Sequence, residues 1–259
     1  MQAVGKTAMR VACALVALAV VVALCACVPG ASSPWSSPYY DWEGFHQQNG
    51  RFVYEGEGGL VTETGVDVSD NQGWIDWWAV ADDGIDFALI RCGFRGSSEG
   101  GLYPDDYFEY NLASAHDAGI ACGVYFFSQA VTVEEAQEEA RFVLDLLGGV
   151  PLEHPVAFDH EREAEGIDSR VDELTGEQAT AVAQAFCEVI QDAGYKTMIY
   201  GNGYDLARYD WDVLEHDELW YAEYGSFPSC RQPYAVWQYT NDGQVDGIDG
   251  AVDLNLGFW

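Results

Sequence analysis

Basic residues are scarce in this chain of 259 residues, which has 11 lysines and arginines against 43 aspartates and glutamates. The formal net charge is −32 at pH 7. Nucleic acid is therefore not an expected partner, because no basic stripe is available to neutralise its phosphates. The chain is nevertheless 49% hydrophobic and 14% aromatic, which is too apolar for a disordered acidic tail, and it is predicted to fold.

Cysteine is too sparse and too irregularly spaced for a disulfide framework or a zinc site. Of the seven cysteines, three fall in the first 27 residues, and four remain in the rest of the chain: Cys92, Cys122, Cys187 and Cys230. Their spacing fits no CxxC pattern, and a chain of this length builds a core without disulfides. Cys92 ends one apolar run and Cys122 begins another, so parallel strands would place them at opposite ends of a sheet. We predict buried free thiols, no metal site and no cofactor.

An unbroken apolar run occurs at the N-terminus, over residues 11–26, and Lys6 and Arg10 precede it. This order of charge and apolar run is typical of an export signal. A permanent membrane helix is the alternative, although about 16 apolar residues fall short of the roughly 20 that a spanning helix needs.

The run ends in Leu24-Cys25-Ala26-Cys27, which resembles the lipobox of bacterial lipoproteins. In that pattern Cys27 is the lipidated N-terminus of the mature protein. Cys25 departs from the usual small residue, so ordinary cleavage and secretion is the alternative. We expect residues 1–27 to direct export to the cell surface, with membrane contact only through a lipid on Cys27.

Residues 28–63 have no helical or strand periodicity and are rich in proline, serine and glycine, which predicts a tether. Within this segment, residues 39–54 contain enough tryptophan, tyrosine and phenylalanine to pack on a folded domain as a strap. A single domain is predicted to follow, over residues 64–259.

From residue 64 onward the pattern becomes regular and predicts eight short strands. They lie at 64–68, 87–92, 122–127, 155–161, 197–200, 219–224, 234–238 and 252–256. Helices are predicted between the first five strands, at 75–83, 107–118, 133–147 and 176–193, with a short piece around 204–214. This order predicts an α/β barrel of the TIM type that has lost its last helices.

In such barrels the chemistry lies at the carboxyl ends of the strands, and acidic residues occur there. They are Asp67, Asp70, Asp159, Glu161, Glu223 and Asp253. Asp159 and Glu161 are two residues apart, so along a strand both face the barrel mouth while His160 faces the helices. Two carboxylates in one cleft are what glycosidic cleavage requires. As a bare tripeptide, however, D-x-E also occurs by chance in an acidic chain.

Simpler interpretations exist for the other acids. Asp67 could cap a helix, although Ser69 and Asp70 are better placed to cap the helix that follows Trp74. Asp253 could be a turn residue, like the nearby acid Asp246.

The tryptophans divide into two predicted groups. Trp74, Trp77 and Trp78 recur at helical spacing, which predicts that they belong to the core. Trp237 stands on a strand end, where we expect it to be a platform for the face of a sugar ring.

Seven short motifs occur in order along the domain. They are Gly65-Val66-Asp67-Val68-Ser69, Leu89-Ile90-Arg91-Cys92-Gly93-Phe94, Gly123-Val124-Tyr125-Phe126-Phe127, Pro155-Val156-Ala157-Phe158-Asp159-His160-Glu161, Leu219-Trp220-Tyr221-Ala222, Trp237-Gln238-Tyr239 and Val252-Asp253-Leu254-Asn255. In order and spacing they resemble the family 25 glycoside hydrolases, the lysozymes or N-acetylmuramidases. The resemblance covers essentially residues 64–259 and implies a single catalytic (β/α)5β3 barrel. It also implies cleavage of the β-1,4 bond between N-acetylmuramic acid and N-acetylglucosamine in the glycan strands of peptidoglycan, by a protein that we expect to be monomeric.

The same resemblance implies roles for individual residues. Glu161 would be the general acid, and Asp159 would steady the reacting acetamido group. Asp67 and Asp253 would be supporting carboxylates.

The sugar cleft would be lined by Tyr125, Tyr200 and Trp237, with Glu223 as a further substrate contact. Glu223 stands where a neutral polar residue is expected, and His160 stands where an apolar or aromatic residue is expected. Two alternatives remain open. One is a chitinase-like or endo-N-acetylglucosaminidase activity, and the other is a non-catalytic glycan-binding surface protein.

Overall fold

The computed structural model of the protein describes residues 42–55, 62–162, 169–215, 217–225 and 227–259. The predicted export signal, Cys27 and most of the predicted tether lie outside the described residues. Among the residues it does describe, no helix combines the length and the apolarity needed to cross a membrane.

The described residues form eleven strands and five α-helices. The strands are β1 (Phe45–Gln48), β2 (Arg51–Tyr54), β3 (Glu63–Val68), β4 (Phe87–Arg95), β5 (Leu102–Pro104), β6 (Ala121–Phe127), β7 (Val156–Asp159), β8 (Thr197–Asn202), β9 (Glu218–Ala222), β10 (Val236–Gly243) and β11 (Val252–Gly257). The helices are α1 (Trp77–Asp82), α2 (Phe108–Asp117), α3 (Val133–Leu147), α4 (Gly176–Asp192) and α5 (Gly203–Leu206).

Eight of the strands close into a barrel in the order β3-β11-β10-β9-β8-β7-β6-β4, and β4 pairs again with β3. Neighbouring strands are parallel except for β11, which is antiparallel to both β10 and β3. A helix follows each of the first five barrel strands, and in the described residues none lies between β9, β10 and β11. The predicted α/β barrel of the (β/α)5β3 type is confirmed.

Local signals in the sequence explain where the longer helices begin. Thr132 accepts a hydrogen bond from the backbone N–H of Glu135 at 3.2 Å, and α3 has the predicted bounds. Thr175 and Gln178 form a reciprocal capping box at the start of α4. Gly148 ends α3 with a left-handed backbone, φ 56°, which a residue with a side chain adopts at a cost.

Alternation along the strands separates two cores. One lies between the strands and the helices, and the other fills the barrel interior. The interior core consists of Phe87, Leu89, Ala157, Met198, Tyr200, Trp220, Ala222 and Val236. On β7, Val156 and Phe158 therefore face the helices, and Ala157 and Asp159 face the interior.

The β1–β2 hairpin covers the outer face of β10, where the barrel has no helix. The ring of Phe52 lies 5.1 Å from that of Trp237 and 5.2 Å from that of Tyr239, between ring centroids. Phe45 packs on Trp237 at 5.9 Å. The aromatic residues predicted to form a strap thus include a hairpin that packs on the barrel.

The end of β7 and the start of α1 differ from the prediction. Strand β7 ends at Asp159, so Glu161 lies beyond it. Helix α1 begins at Trp77 and is capped by Asp76, whose carboxylate accepts the N–H of Ala79, so the assignment of this cap to Ser69 and Asp70 is wrong. Ser69 instead caps the 3-10 turn Asp70–Gln72.

The tryptophans of this region also divide differently from the prediction. Trp77 is buried, whereas Trp74 and Trp78 are 62% and 64% exposed, so the core prediction is wrong for two of the three. Only part of α1 faces the barrel, and Trp74 precedes the helix. All four cysteines in the described part are free thiols, and Cys230 is the one that is partly exposed.

Candidate active site

The strand order brings four of the predicted acids to one end of the barrel. Asp67, near the end of β3, is the register partner of Asp253, near the start of the antiparallel β11. Asp159 is the last residue of β7, and Glu161 follows two residues later. The charges of Glu161 and Asp67 act on Asp159, and those of Asp253 and Glu161 act on Asp67. The four carboxyl groups therefore form one electrostatic cluster.

Asp67 is buried and held by two amides. Its Oδ2 accepts hydrogen bonds from Gln238 Nε2 at 2.8 Å and from Asn255 Nδ2 at 2.7 Å. Burial, and next the negative charge of Asp253, raise the pKa of Asp67 well above its usual range, while the two amide hydrogen bonds oppose this. Burial and the charge of Asp253 thus oppose the ionisation of Asp67, and the two amides favour it.

Both amides are themselves oriented by aromatic side chains. Gln238 Oε1 accepts hydrogen bonds from the hydroxyl groups of Tyr200 at 2.9 Å and Tyr224 at 2.7 Å. The indole N–H of Trp220 donates to Asn255 Oδ1 at 2.8 Å. Each amide oxygen is thus occupied by a donor, so each amide nitrogen must face Asp67. The network fixes the position of Asp67 at the barrel mouth.

Asp159 is also buried, but its Oδ1 has no hydrogen-bond partner among the described residues. Burial raises the pKa of Asp159 well above its usual range, the charges of Glu161 and Asp67 raise it further, and Arg91 acts in the opposite direction. A buried carboxylate oxygen without a donor is costly, and it leaves a hydrogen-bond acceptor open to a bound molecule.

Arg91 is the positive charge that acts on this cluster. It points inward from β4 and forms ion pairs with the buried Asp105 at 2.8 Å and with Asp70 at 2.5 Å. Asp70 was predicted to cap a helix, and its carboxylate instead neutralises Arg91. The sequence analysis did not single out Arg91, although the alternation of β4 places it on the inner face with Phe87 and Leu89.

Two of the three aromatic residues predicted to line the cleft lie beside the acids. Tyr125 meets Trp220 edge-on with ring centroids 5.8 Å apart, and Tyr200 packs on the same indole at 4.4 Å. Burial raises the pKa of both tyrosines. Their hydroxyl groups therefore stay protonated near neutral pH, and the hydroxyl of Tyr200 donates its proton to Gln238.

Trp237 does not lie in the cleft. Its side chain is fully buried under the β1–β2 hairpin, and its indole N–H donates to the carbonyl oxygen of Glu223 at 3.0 Å. The prediction of a sugar platform placed Trp237 on the wrong face of β10. Gln238, the next residue, is the one that faces inward.

Glu223 is likewise turned away from the acids. Its carboxylate accepts hydrogen bonds from the hydroxyl of Tyr221 at 2.8 Å and from the backbone N–H of Ser229 at 2.6 Å. It therefore secures the loop after β9. Tyr224, which the sequence analysis missed, takes the inward position one residue later.

Asp253 makes the stability of the fold depend on pH. Burial raises the pKa of Asp253 to about 6. Between about pH 4 and pH 6 the folded state binds this proton more tightly than the unfolded chain, so stability falls as the pH rises through that window. We expect Asp253→Asn to raise the Tm at pH 7 by about 2–4 °C, and to lose this advantage near pH 4.

Thermal unfolding monitored by circular dichroism between pH 4 and pH 7 measures this effect. Asp249→Asn is a matched control, because Asp249 is exposed in the connection between β10 and β11. Its Tm should follow that of the unchanged protein at every pH. If the Tm of Asp253→Asn at pH 7 is at or below that of the unchanged protein, the ionised carboxylate of Asp253 does not destabilise the fold.

Comparison with known proteins places this barrel in a family. The sequence profile of the glycosyl hydrolases family 25 matches residues 66–248. The chain is 25% identical to the autolytic lysozyme of Clostridium acetobutylicum, over 74% of this chain and 54% of that protein. It is 27% identical to lysozyme M1 of Streptomyces globisporus, over 74% and 66%. The matched region thus spans about half to two thirds of the length of these two lysozymes.

Solved structures show the same fold. A bacterial lysozyme from Streptomyces coelicolor is 26% identical with a TM-score of 0.60, over 74% of this chain and 90% of that chain. A family 25 glycosyl hydrolase from Bacillus anthracis has a TM-score of 0.64 at 24% identity, over 85% and 94%. The profile match extends over more than half of the chain and contains three of the four clustered acids, Asp67, Asp159 and Glu161, and the chain therefore belongs to the glycosyl hydrolases family 25.

Proposed function

We propose that this protein is a lysozyme, an N-acetylmuramidase that hydrolyses the β-1,4 bond between N-acetylmuramic acid and N-acetylglucosamine in bacterial peptidoglycan. The observation that carries the proposal is the cluster of Asp67, Asp159, Glu161 and Asp253 at the mouth of a family 25 barrel. Lysozymes among the similar proteins support the substrate class. Glycosidic cleavage needs a proton donor and a carboxylate beside the anomeric carbon, and this cluster supplies both.

In the proposed first step, the open Oδ1 of Asp159 accepts the N–H of the substrate's 2-acetamido group. The acetamido carbonyl oxygen bonds to the anomeric carbon while the glycosidic bond breaks. Glu161 gives its proton to the departing oxygen, so the leaving sugar is released as a neutral alcohol. In their ionised forms, Asp67 and Asp253 provide negative charge near the developing cation.

In the proposed second step, water attacks the anomeric carbon from the side that the leaving sugar has vacated. Glu161, now ionised, takes a proton from this water, and the bond to the acetamido oxygen breaks. Two displacements at one carbon give net retention of configuration, and no bond forms between the sugar and the protein.

Digestion of purified cell walls tests the proposed function. We expect the turbidity of a wall suspension to fall, and mass spectrometry should find soluble fragments whose reducing end is N-acetylmuramic acid. Fragments that end in reducing N-acetylglucosamine would instead assign an endo-N-acetylglucosaminidase activity. Binding to walls without soluble fragments would assign a non-catalytic glycan-binding protein.

We also propose that the protein is exported and tethered to the membrane by a lipid on Cys27, which the charge and apolar pattern of the leader supports. We expect Cys27→Ala to move the protein from the membrane fraction into the medium, as measured by immunoblotting of the two fractions. Cys25→Ala is the matched control and should stay in the membrane fraction. Retention of Cys27→Ala would mean that the apolar run itself is the anchor, because a single lipid binds much more weakly than a spanning helix.

A further inference from the structure

The position of Glu161 is not set by the barrel sheet. Strand β7 ends at Asp159, where the register with Phe127 on β6 and Tyr200 on β8 also ends. Glu161 is two residues beyond the last of these pairs. Proton transfer to a leaving oxygen requires a donor held to within a fraction of an ångström, and misplacement by about 1 Å costs up to 10²-fold in rate. Contacts outside the sheet must therefore hold this segment.

Each backbone carbonyl from Asp159 to Glu161 accepts a hydrogen bond from outside β7. The backbone N–H of Ser128 donates to the carbonyl of Asp159 at 2.6 Å. The guanidinium of Arg208 donates to the carbonyl of His160, and Gln129 Nε2 donates to that of Glu161 at 3.1 Å. The donors come from the segment after β6 and from the segment after α5, so two elements of the barrel rim grip the same three residues.

The side chain of His160 adds a further attachment on the opposite side of the backbone. It is fully buried, stacks on Phe158 with an interplanar angle of 18°, and its Nε2 lies 3.0 Å from the carbonyl oxygen of Ala130. Burial, and next the charge of Arg208, lower the pKa of His160 to about 3. The ring is therefore neutral, and because a carbonyl only accepts, its single proton is on Nε2.

The other ring nitrogen is also satisfied. The hydroxyl of Tyr209 lies 3.4 Å from Nδ1 of His160, where the unprotonated nitrogen can accept. An apolar side chain would fill this space at a smaller cost of desolvation. Histidine, unlike an apolar side chain, also has a fixed orientation, because both of its ring nitrogens are bound to fixed groups.

Gln129 is also held in one orientation by hydrogen bonds. It is fully buried, its Oε1 accepts a hydrogen bond from the hydroxyl of Ser169 at 2.7 Å, and its backbone carbonyl accepts one from Arg170 at 3.1 Å. The occupied oxygen leaves the amide nitrogen directed at the carbonyl of Glu161. The side chain therefore cannot rotate without breaking two hydrogen bonds.

We propose that His160, Gln129 and Arg208 are positioning residues that hold Glu161 at the reacting bond, a set that we call the acid clamp. This inference rests on the proposed function, since it assigns to the clamp the placement of the proton donor for that reaction. His160, one of the two residues at which the sequence departs from the pattern expected of its family, gives the clamp its fixed orientation.

The test compares His160→Leu, which fills the space without a donor, with His160→Gln, which keeps an amide donor near the position of Nε2. On a soluble peptidoglycan fragment we expect His160→Leu to lower kcat about 10-fold to 100-fold, with KM changed less than threefold. His160→Gln should recover most of kcat. A merely structural role would lower the amount of folded protein and would not be rescued in kcat by the conservative variant.

Two further variants complete the comparison. Gln129→Met removes the donor to the carbonyl of Glu161 and leaves His160 unchanged, and it should lower kcat by a similar factor. If His160→Leu does not fold, Gln129→Met still tests the proposal. His116→Leu is the matched control, because His116 is a hydrogen-bonded histidine at the far end of α2. It should keep the kcat of the unchanged protein.

Crystal structures of the unchanged protein and of both sets of variants give a readout that does not depend on activity. We expect Glu161 to shift by about 1 Å or more in His160→Leu and Gln129→Met, and to stay in place in His160→Gln. If the unchanged protein does not cleave walls, the proposed function fails. The position of Glu161 in these crystal structures still tests whether the clamp holds it. The proposal of an acid clamp is overturned if Glu161 does not move in His160→Leu and Gln129→Met, or if both variants keep the kcat of the unchanged protein.

Discussion

Glu161→Gln is expected to lower peptidoglycan hydrolysis by roughly 10²-fold to 10⁴-fold, the contribution typical of a positioned general acid. Glutamine has almost the same shape but has no proton to give to the departing oxygen. The Tm should change little, because the substitution fills the same half-buried space at the end of β7. Initial rates on a soluble peptidoglycan fragment, together with thermal unfolding, measure both quantities.

Glu223→Gln is the informative comparison for this variant. Its carboxylate faces the loop at Ser229, and a glutamine oxygen can accept the same hydrogen bonds. Hydrolysis by Glu223→Gln should therefore stay close to that of the unchanged protein. A Glu161→Gln protein that still clears walls, or a Glu223→Gln protein that does not, would contradict the placement of the two acids.

Asp159→Asn is expected to lower kcat by about 100-fold or more, comparable to the loss of one electrostatic contact to a transition state. The carboxylate both accepts the acetamido N–H and stabilises the positive charge that develops on the substrate. Asparagine retains one acceptor and loses the charge. The same kinetic assay measures the loss, and proton NMR of the first product formed gives its anomeric configuration.

The anomeric configuration of the first product distinguishes two roles for Asp159, orienting the acetamido group or activating a water molecule. Retention of configuration, in the unchanged protein and in the residual activity of Asp159→Asn, agrees with attack by the acetamido oxygen. An inverted product would mean that Asp159 activates a water molecule directly, and it would overturn the proposed mechanism.

Period-two alternation made much of the site predictable from sequence. It correctly placed Asp159 on the inner face of its strand, because its neighbours Val156 and Phe158 face the helices, and the same alternation accounts for the inward positions of Asp67 and Asp253. The same rule applied to Trp237-Gln238-Tyr239 would have put Gln238 inside and both aromatic residues outside. The prediction of a sugar platform at Trp237 rests on residue type alone, and the alternation of β10 contradicts it.

Other parts of the site had no local signal. Glu161 was counted as the last residue of β7, since nothing in a D-x-E tripeptide marks where hydrogen bonding to the neighbouring strands stops. The clamp on that segment is built from residues about 30 and 48 positions away, and only the folded chain brings them together. Helical spacing predicted that Trp74, Trp77 and Trp78 all belong to the core, and only Trp77 is buried.

The hairpin that precedes the barrel also determines where the chain can be truncated without exposing an aromatic surface. A truncation at residue 64, where strand periodicity begins, would remove Phe45 and Phe52 and uncover the outer face of Trp237 and Tyr239. A contiguous aromatic surface on the outer face of strands that no helix covers favours self-association. A preparation that starts at residue 42 keeps Phe45 and Phe52 on that surface, and we expect it to stay monodisperse where the shorter one associates.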